Sequence, residues 1–302
     1  MNLFLYVLTV LIWGSTWYAI TFQFGVVPGE WSIMYRFALS ALLLFAFCFA
    51  TGRDLRFNRG HHLVFFGLGF FLFSSNYYLT YLSTELIPSG LVAIIFSLLT
   101  IMNIINSSVF LKKKISKDVI IGAVVGVAGI MMVFLPEVEN MHFGDTAFVG
   151  LGLALGAAYL ASLGNTVAGM NRVKDLRIIP MNAWGMLYGT IILTVFAIST
   201  GKPLIYDMRP AFTWSLLYLS ILGSVVAFTA YLTLVKRIGS DRAGYSAVMF
   251  PIVALAISTV FEGYVWTTAS LIGMGLVIVG NGFVLMKRAK TTVVAEVEVE
   301  RG

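Results

Sequence analysis

Residues 89–134 read SGLVAIIFSLLTIMNIINSSVFLKKKISKDVIIGAVVGVAGIMMVF, and residues 240–285 follow the same plan 151 positions later. Each copy holds an apolar segment, a short polar break and a second apolar segment rich in glycine. Aligned without a gap, the copies are identical at nine positions: Ser89/Ser240, Ile101/Ile252, Ser107/Ser258, Val109/Val260, Phe110/Phe261, Ile121/Ile272, Gly122/Gly273, Gly129/Gly280 and Val133/Val284. An internal repeat among membrane-length apolar segments is typical of a transporter built from two halves.

The composition predicts an all-α integral membrane protein. The chain has 302 residues, of which 59% are hydrophobic and 11% are charged, whereas soluble domains carry about 25% charged residues. About 20 consecutive apolar residues span a bilayer. Ten transmembrane helices are predicted, near residues 2–22, 32–50, 62–82, 88–110, 118–135, 147–169, 178–199, 212–235, 242–262 and 267–287. The first lacks a basic start, so it is read as a span and not as a cleaved signal.

Lysine and arginine in the linkers predict the orientation. Seventeen of them follow the even-numbered spans or lie in the C-terminal tail, and only Lys202 and Arg209 follow odd-numbered spans. Positive charge gathers on the cytoplasmic side, so both termini are expected in the cytoplasm. After five crossings, an odd number, the chain lies on the opposite side of the membrane. The second five-helix half therefore begins there and has the opposite orientation. The predicted organisation is a first repeat over 1–139, a second, inverted repeat over 140–290 and a disordered cytoplasmic tail over 291–302.

Several motifs resemble the EamA-type transporters of the drug/metabolite transporter superfamily. They are Trp13-Gly14-Ser15-Thr16, Pro28 with Trp31 and Arg36, GSDRAGYSAVMFP at 239–251, Phe261-Glu262-Gly263-Tyr264 and the glycines of 273–280. The resemblance implies ten helices in two inverted five-helix repeats around a central cavity, and export of amino acids or other small metabolites. The first half departs from the pattern at Thr100, where its mate has Pro251, and at residues 112–114, which are lysines.

Residues that would support enzymatic chemistry are missing from the predicted spans. The sequence has no G-x-x-x-x-G-K-[ST] phosphate loop, and its three histidines lie in linkers. A single cysteine, Cys48, excludes an internal disulfide and a cysteine-based metal site. We therefore expect no cofactor, no metal and no nucleic-acid partner. We also expect no enzymatic activity, because a hydroxyl nucleophile in a span would lack a base.

Charged residues are confined to linkers and span ends with one exception. Arg36 lies well inside span 2, where it either extends to the outer headgroups or binds a substrate carboxylate with two hydrogen bonds. Glu85 and Glu262 lie at span ends and are candidates for proton coupling. The alternatives are that both are solvated interface acids, and that the protein is a facilitator driven by the substrate gradient.

Polar and aromatic residues recur at helical spacing in six spans, which predicts a substrate pathway. Besides Arg36, the candidates are Trp13, Trp17, Asn76, Tyr77, Tyr81, Ser97, Thr100, Asn103, Tyr159, Asn165, Phe228, Tyr231, Tyr245 and Met249. For small and hydroxyl side chains the alternative is helix–helix packing, and for tryptophan and tyrosine it is an interfacial belt. Pro251 inside span 9 is a candidate hinge, because proline leaves a helical carbonyl unpaired.

The sequence favours an exporter of small amphipathic metabolites, above all neutral or hydrophobic amino acids, working by alternating access. An uncharged aromatic lining suits a zwitterion with an apolar side chain. The expected location is the cell inner (plasma) membrane, with the lipid bilayer and a small-molecule substrate as partners. Efflux of drugs or toxic compounds is one alternative, and a non-transporting membrane scaffold or sensor is another. Glycines in spans 5 and 10 suit either scaffold packing or a homodimer.

Overall fold

The computed structural model describes residues 2–111, 117–139, 146–170, 176–231, 233–234, 246–280 and 282. Every regular element within these residues is helical, which confirms the prediction of an all-α chain for that part. We label the helices α1 (Asn2–Thr21), α2 (Gly29–Ala50), α3 (Arg59–Leu86), α4 (Ser89–Phe110), α5 (Lys117–Glu139), α6 (Thr146–Ala168), α7 (Ile178–Ser199), α8 (Pro210–Tyr231), α9 (Ser246–Phe261) and α10 (Thr268–Gly280).

Seven of the described helices, α1–α4 and α6–α8, are long and apolar enough to cross a membrane. Shorter apolar helices cover 120–133, 249–261 and 268–280, inside predicted spans 5, 9 and 10. Large apolar side chains cover the outward faces, with Phe49 74%, Val260 73% and Trp214 71% exposed. Such a surface suits contact with lipid tails, because the side chains are apolar and the backbone polar groups are hydrogen-bonded within each helix. Ten crossings remain a prediction.

Helix starts and ends follow local residue chemistry. Pro28 and Pro88 precede the first turns of α2 and α4, where a missing N–H costs nothing. α2 therefore begins at Gly29, three residues before the predicted span. The Asn58 side chain accepts a hydrogen bond from His61 N at 2.9 Å and caps α3. Gly52 has φ +60° just after α2, a left-handed conformation that glycine adopts without strain.

Helix packing divides the buried core into two neighbouring regions. In one, α4 packs against α6 and α9, and α1 packs along α9. In the other, α2 packs along α7, and α3 packs against α6 and α7. The outer end of this second region is covered by the loop between α7 and α8. Trp31 Nε1 donates to Lys202 O at 3.1 Å and Tyr35 Oη donates to Ile205 O at 3.0 Å.

α5 and α10 meet through glycines. A methyl group added to Gly129 would lie 2.6 Å from Gly273 O, and one added to Gly280 would lie 2.6 Å from Gly122 O. These separations are too short for any side chain, so the two backbones touch directly. The glycines at which we expected scaffold packing or a dimer therefore join two helices of the same chain.

Candidate functional site

Arg36 lies on the buried face of α2, seven residues after the helix begins. Only 2% of the side chain is exposed, and it is the largest side chain that is almost fully buried in the described residues. The guanidinium is covered by protein and does not extend to the surface, so the headgroup alternative does not describe this structure. A buried charge is costly unless it is paired and hydrogen-bonded, which makes its surroundings informative.

The guanidinium is held by α8 and by two aromatic rings. Its Nε donates to Ser224 Oγ at 3.2 Å. Its Cζ lies 4.6 Å from the centre of the Tyr77 ring on α3 and 5.4 Å from that of Phe37. Both contacts are cation–π interactions, which stabilise a cation more strongly when water is excluded. Nη1 is buried and has no hydrogen-bond partner, so this nitrogen is available to a ligand.

Two further buried hydroxyls lie on the helices that pack around Arg36. The Tyr81 side chain is 1% exposed, and its hydroxyl interacts with the Arg36 guanidinium. The Ser220 side chain is fully buried on α8, where its carbonyl accepts a hydrogen bond from Ser40 Oγ at 3.2 Å. Ser220 Oγ itself has no hydrogen-bond partner. Buried polar atoms are nearly always satisfied, so a buried hydroxyl of this kind is a group to which a ligand could bind.

Irregular turns in α3 and α8 flank the guanidinium. Residues 71–75 of α3 and 218–226 of α8 are π-helical. In each, a serine hydroxyl donates to the carbonyl five residues earlier: Ser74 to Gly69 at 2.8 Å and Ser224 to Leu219 at 3.0 Å. The two serines are 150 positions apart. π-Helical turns are rare and frequent at functional sites, and here they bring Ser224 toward Arg36.

Aromatic side chains continue from the guanidinium toward α1. Trp13 donates from Nε1 to Gly223 O at 3.3 Å. Its ring lies 5.4 Å from Phe228 and 5.2 Å from Tyr231, and Phe228 lies 6.1 Å from Phe73. Arg36 and the rings of Tyr77, Phe37, Phe73, Phe228 and Trp13 therefore form one aromatic row, half-buried at Tyr77, Phe228 and Trp13, with a charge at one end.

Other predicted pathway residues lie in a second polar group, between α4 and α6. Asn165 Nδ2 donates to Asn103 Oδ1 at 3.3 Å, and Asn106 Nδ2 donates to Ser162 Oγ at 2.8 Å. Ser97 is buried, and its hydroxyl has no partner. It stands where the α-helical hydrogen bonding of α4 pauses, between Phe96 and Leu99. Thr100 is half-buried one turn beyond the pause.

The remaining predicted residues are dispersed. Trp17 packs into the core 4.7 Å from Phe96, and Asn76 hydrogen-bonds its own helix at Leu72 O. Tyr159 is 47% exposed and Met249 is 39% exposed, outside both groups. Pro251 is buried inside α9. Tyr245 lies outside the described residues.

The two candidate coupling acids lie at the outer helix ends. Glu262 accepts hydrogen bonds from Ser89 N at 3.1 Å and Ser89 Oγ at 2.7 Å, so it caps α4 from the end of α9. Negative charge is favourable there because the helix N-terminus carries partial positive charge. Glu85 is exposed on the last turn of α3 and interacts with Glu30, which is 4% exposed.

Asp207 in the outer loop helps to fix its neighbour Arg209. Hydrogen bonds from the backbone and side chain of Arg209 hold the pKa of Asp207 below its usual range. Arg209 Nη2 in turn donates to Phe24 O at 3.1 Å, at the end of α1. This loop therefore joins the end of α1, the start of α2 and the start of α8.

A groove of about 760 Å³ opens on the outward face between α1 and α8. Its walls include Tyr18 and Phe22 of α1 and Trp214 and Tyr218 of α8, and no charged side chain lines it. The groove is separate from the aromatic row, because none of the rings of that row lines it.

Sequence reasoning missed Phe37, Phe73, Ser220 and Gly223, which complete the surroundings of Arg36. All are small or apolar residues that resemble ordinary helix-packing positions. One signal could have found this region: Ser74, Leu72 and Tyr81 recur 150 positions later as Ser224, Leu222 and Tyr231. A repeat search extended to these spans would have paired α3 with α8. No group of three or more potential metal-ligating side chains occurs in the part of the chain that the structure describes.

Comparison with known proteins gives consistent matches over nearly the whole chain. The EamA-like transporter family matches residues 1–135 and again residues 148–286. Protein PagO of Salmonella typhimurium is 23% identical over 94% of this chain and 92% of its own length. An uncharacterized transporter of Archaeoglobus fulgidus is 24% identical over 93% and 97% of the two chains.

An uncharacterized inner membrane transporter of Escherichia coli, YedA, is 24% identical over 89% of this chain and 85% of its own length. A crystal structure of another protein superposes with a TM-score of 0.71 at 16% identity, covering 96% of this chain and 98% of that one. At this identity the structural match shows a shared fold.

Proposed function

The chain belongs to the EamA-like transporter family, and on that premise we propose that it exports small amphipathic metabolites that carry a carboxylate, across the inner membrane of a cell. Neutral or hydrophobic amino acids are the first class to test. The observation that carries the proposal is the buried Arg36 guanidinium, whose Nη1 has no partner. A guanidinium edge matches a carboxylate with two parallel hydrogen bonds.

We also propose ten membrane spans in two inverted halves. The double family match, over 1–135 and 148–286, supports two related halves. The glycine contacts support opposite orientations, because Gly129 meets Gly273 and Gly280 meets Gly122. At the 151-residue spacing of the repeat, Gly129 corresponds to Gly280 and Gly122 corresponds to Gly273. The two contacts therefore exchange when the halves are exchanged.

Transport would follow from separation of α3 and α8, which enclose Arg36 in the present conformation. The outer ends are held by the loop between α7 and α8 and by the Glu262–Ser89 hydrogen bonds. We propose that a substrate reaches Arg36 from the cytoplasmic side and leaves outward when these outer contacts part. This is alternating access around a site between two halves.

Cationic drugs are a weaker candidate class for this site. A buried cation repels another cation, and the aromatic rings near Arg36 are already engaged with the guanidinium. A proton-coupled cycle using Glu85 or Glu262 stays a proposal beside simple facilitation. Both acids lie at outer helix ends and away from Arg36, which favours facilitation.

The test is counterflow in liposomes that contain the purified protein. Vesicles loaded with unlabelled substrate exchange it for labelled amino acids or for the corresponding carboxylic acids, with and without a pH gradient. We expect saturable exchange of compounds that carry a carboxylate, unchanged by the gradient. Arg36→Met should reduce it about tenfold or more, since a charge-assisted bidentate contact is lost.

Gly152→Ala is the control, because a methyl group there meets no atom within 4 Å. Acceleration by the gradient would show proton coupling and direct attention to Glu85 and Glu262. Absence of exchange for every carboxylate tested would refute the proposed substrate class.

A further inference from the structure

We infer that the Arg36 site prefers a net anion, a monocarboxylate attached to an aromatic or apolar group, over the zwitterion that carries the same group. The inference rests on the proposed function and narrows its substrate class. It follows from the charge balance of the site, from a comparison between the two halves of the chain, and from the aromatic row beside the guanidinium.

The first observation is that, among the residues that the structure describes, the side chains facing the guanidinium are neutral. Thr16 approaches from α1, Phe37 from α2, Tyr77 and Tyr81 from α3, and Ser224 from α8. The ion pair that the structure gives for the described residues, Arg209–Asp207, lies in the outer loop. The site thus carries the positive charge of Arg36, and no described acidic side chain forms an ion pair with it. A bound monoanion neutralises it, whereas a zwitterion leaves the site with the same net charge.

The second observation concerns the nearest acid on the same helix. Glu30 is six residues before Arg36, which is about 9 Å along a helix axis. Its carboxylate is already hydrogen-bonded by Tyr78. The ammonium and carboxylate of an α-amino acid are attached to one carbon atom. A substrate whose carboxylate binds Arg36 would hold its ammonium close to that carboxylate, and burial of an ammonium without an acidic partner is unfavourable.

The third observation is that the other half of the chain packs the matching position without a charge. α2 and α7 align at a spacing of 149 residues, through the identities Leu44/Leu193, Phe47/Phe196, Thr51/Thr200 and Gly52/Gly201. At this spacing Arg36 matches Gly185, and at the 150-residue spacing of α3 and α8, Gly223 matches Phe73.

The corresponding contacts are both present. A methyl group on Gly223 would lie 3.4 Å from Arg36 Nη2, and one on Gly185 would lie 3.0 Å from Phe73 Cε2. In one half a guanidinium fills the space over a glycine, and in the other half a phenyl ring does so. Packing can therefore be achieved by an apolar group, and the positive charge at Arg36 serves something other than packing.

The aromatic row gives the rest of the ligand a place. Phe37 lies 4.8 Å from Tyr77 and 5.4 Å from Phe73, and Phe228 joins Phe73 to Trp13. A ligand ring beside this row would make offset or edge contacts with these rings. A ligand whose carboxylate binds Arg36 and whose ring lies beside this row, joined by a short alkyl chain, is an arylalkanoate.

The test compares three ligands that share a phenyl ring and differ in charge. Isothermal titration calorimetry measures binding of 3-phenylpropanoate, phenylalanine and phenethylamine to the purified full chain at pH 7. We expect affinity to fall in that order, with the anion at least about tenfold tighter than the zwitterion. Arg36→Met, which removes the charge and keeps an unbranched side chain, should reduce that ratio to about one. Arg36→Lys should keep the order of the three ligands.

Equal or tighter binding of phenylalanine would overturn the inference, and so would an unchanged ratio in Arg36→Met. Binding of none of the three would overturn it as well. Thermal unfolding of each variant in the same detergent separates loss of the site from loss of the fold. The proposed function is judged separately, because counterflow of any carboxylate supports it even when the zwitterion is preferred.

Discussion

Gly223 lies against Thr16 and the Arg36 guanidinium, where Thr16 leaves no room for a side chain. It lies in the π-helical part of α8, its carbonyl accepts the Trp13 hydrogen bond, and it faces α1 as well as α2. A methyl group there would lie 2.8 Å from Thr16 Cγ2 and 3.4 Å from Arg36 Nη2. Thr16 is branched at Cβ and has few rotamers. At the scale of single residues, the site therefore depends on the absence of a side chain as much as on a charge.

We expect Gly223→Ala to weaken binding of 3-phenylpropanoate about tenfold and to lower the free energy of unfolding by about 1–3 kcal/mol, the usual cost of overpacking. Calorimetry and thermal unfolding in detergent measure the two effects. Gly152→Ala on α6 is the matched control and should change neither, since its added methyl group meets open space. Wild-type affinity in Gly223→Ala would show that Arg36 does not need this space.

At the scale of helices, α5 and α10 touch backbone to backbone, whereas α3 and α8 each contain an irregular, π-helical segment. The α5–α10 contact is backbone on backbone at Gly129 and Gly273, which leaves no freedom to slide. The π-helical turns of α3 and α8 each hold a serine hydroxyl that satisfies a displaced carbonyl. On the proposed function, the closely packed pair would serve as scaffold and the distorted pair would move.

Gly273→Ala should destabilise the protein by about 3 kcal/mol, because the new methyl group would lie 2.5 Å from Gly129 O, a backbone atom that cannot turn aside. Gly275→Ala, two residues along the same helix, meets nothing within 4 Å. It should be neutral or stabilising by about 0.5–1 kcal/mol through helix propensity. Thermal unfolding of the pair is the measurement, and equal midpoints would contradict the packing described for this contact.

Across the whole molecule, the parts set by hydrophobicity were predictable and the parts set by helix geometry were not. Apolar runs of bilayer length predicted the seven long helices, and charge inside a span singled out Arg36. The partners of Arg36 could not be read from a regular 3.6-residue period, because each π-helical turn adds a residue and rotates the face that follows. Trp17 shows the same limit, since helical spacing placed it beside Trp13, although Trp17 packs against Phe96 of α4 and Trp13 contacts Phe228 and Tyr231 of α8.

The neutral surroundings of Arg36 also have an electrical consequence. When an anion binds, the loaded site carries no net charge, and the empty site returns with a positive one. One complete cycle outward then moves one negative charge out of the cell, which a negative interior favours by about 2.3 kcal/mol per 100 mV.

Liposomes loaded with 3-phenylpropanoate and potassium test this with valinomycin. Potassium leaving the vesicles makes their interior negative, and efflux of the anion should accelerate, whereas the reverse potassium gradient should slow it. Vesicles without valinomycin are the control, and an efflux rate that ignores the sign of the voltage would contradict the charge balance assigned to Arg36. On this proposal the resting voltage of the cell would itself supply about 2.3 kcal/mol per 100 mV of driving force for export of the anion.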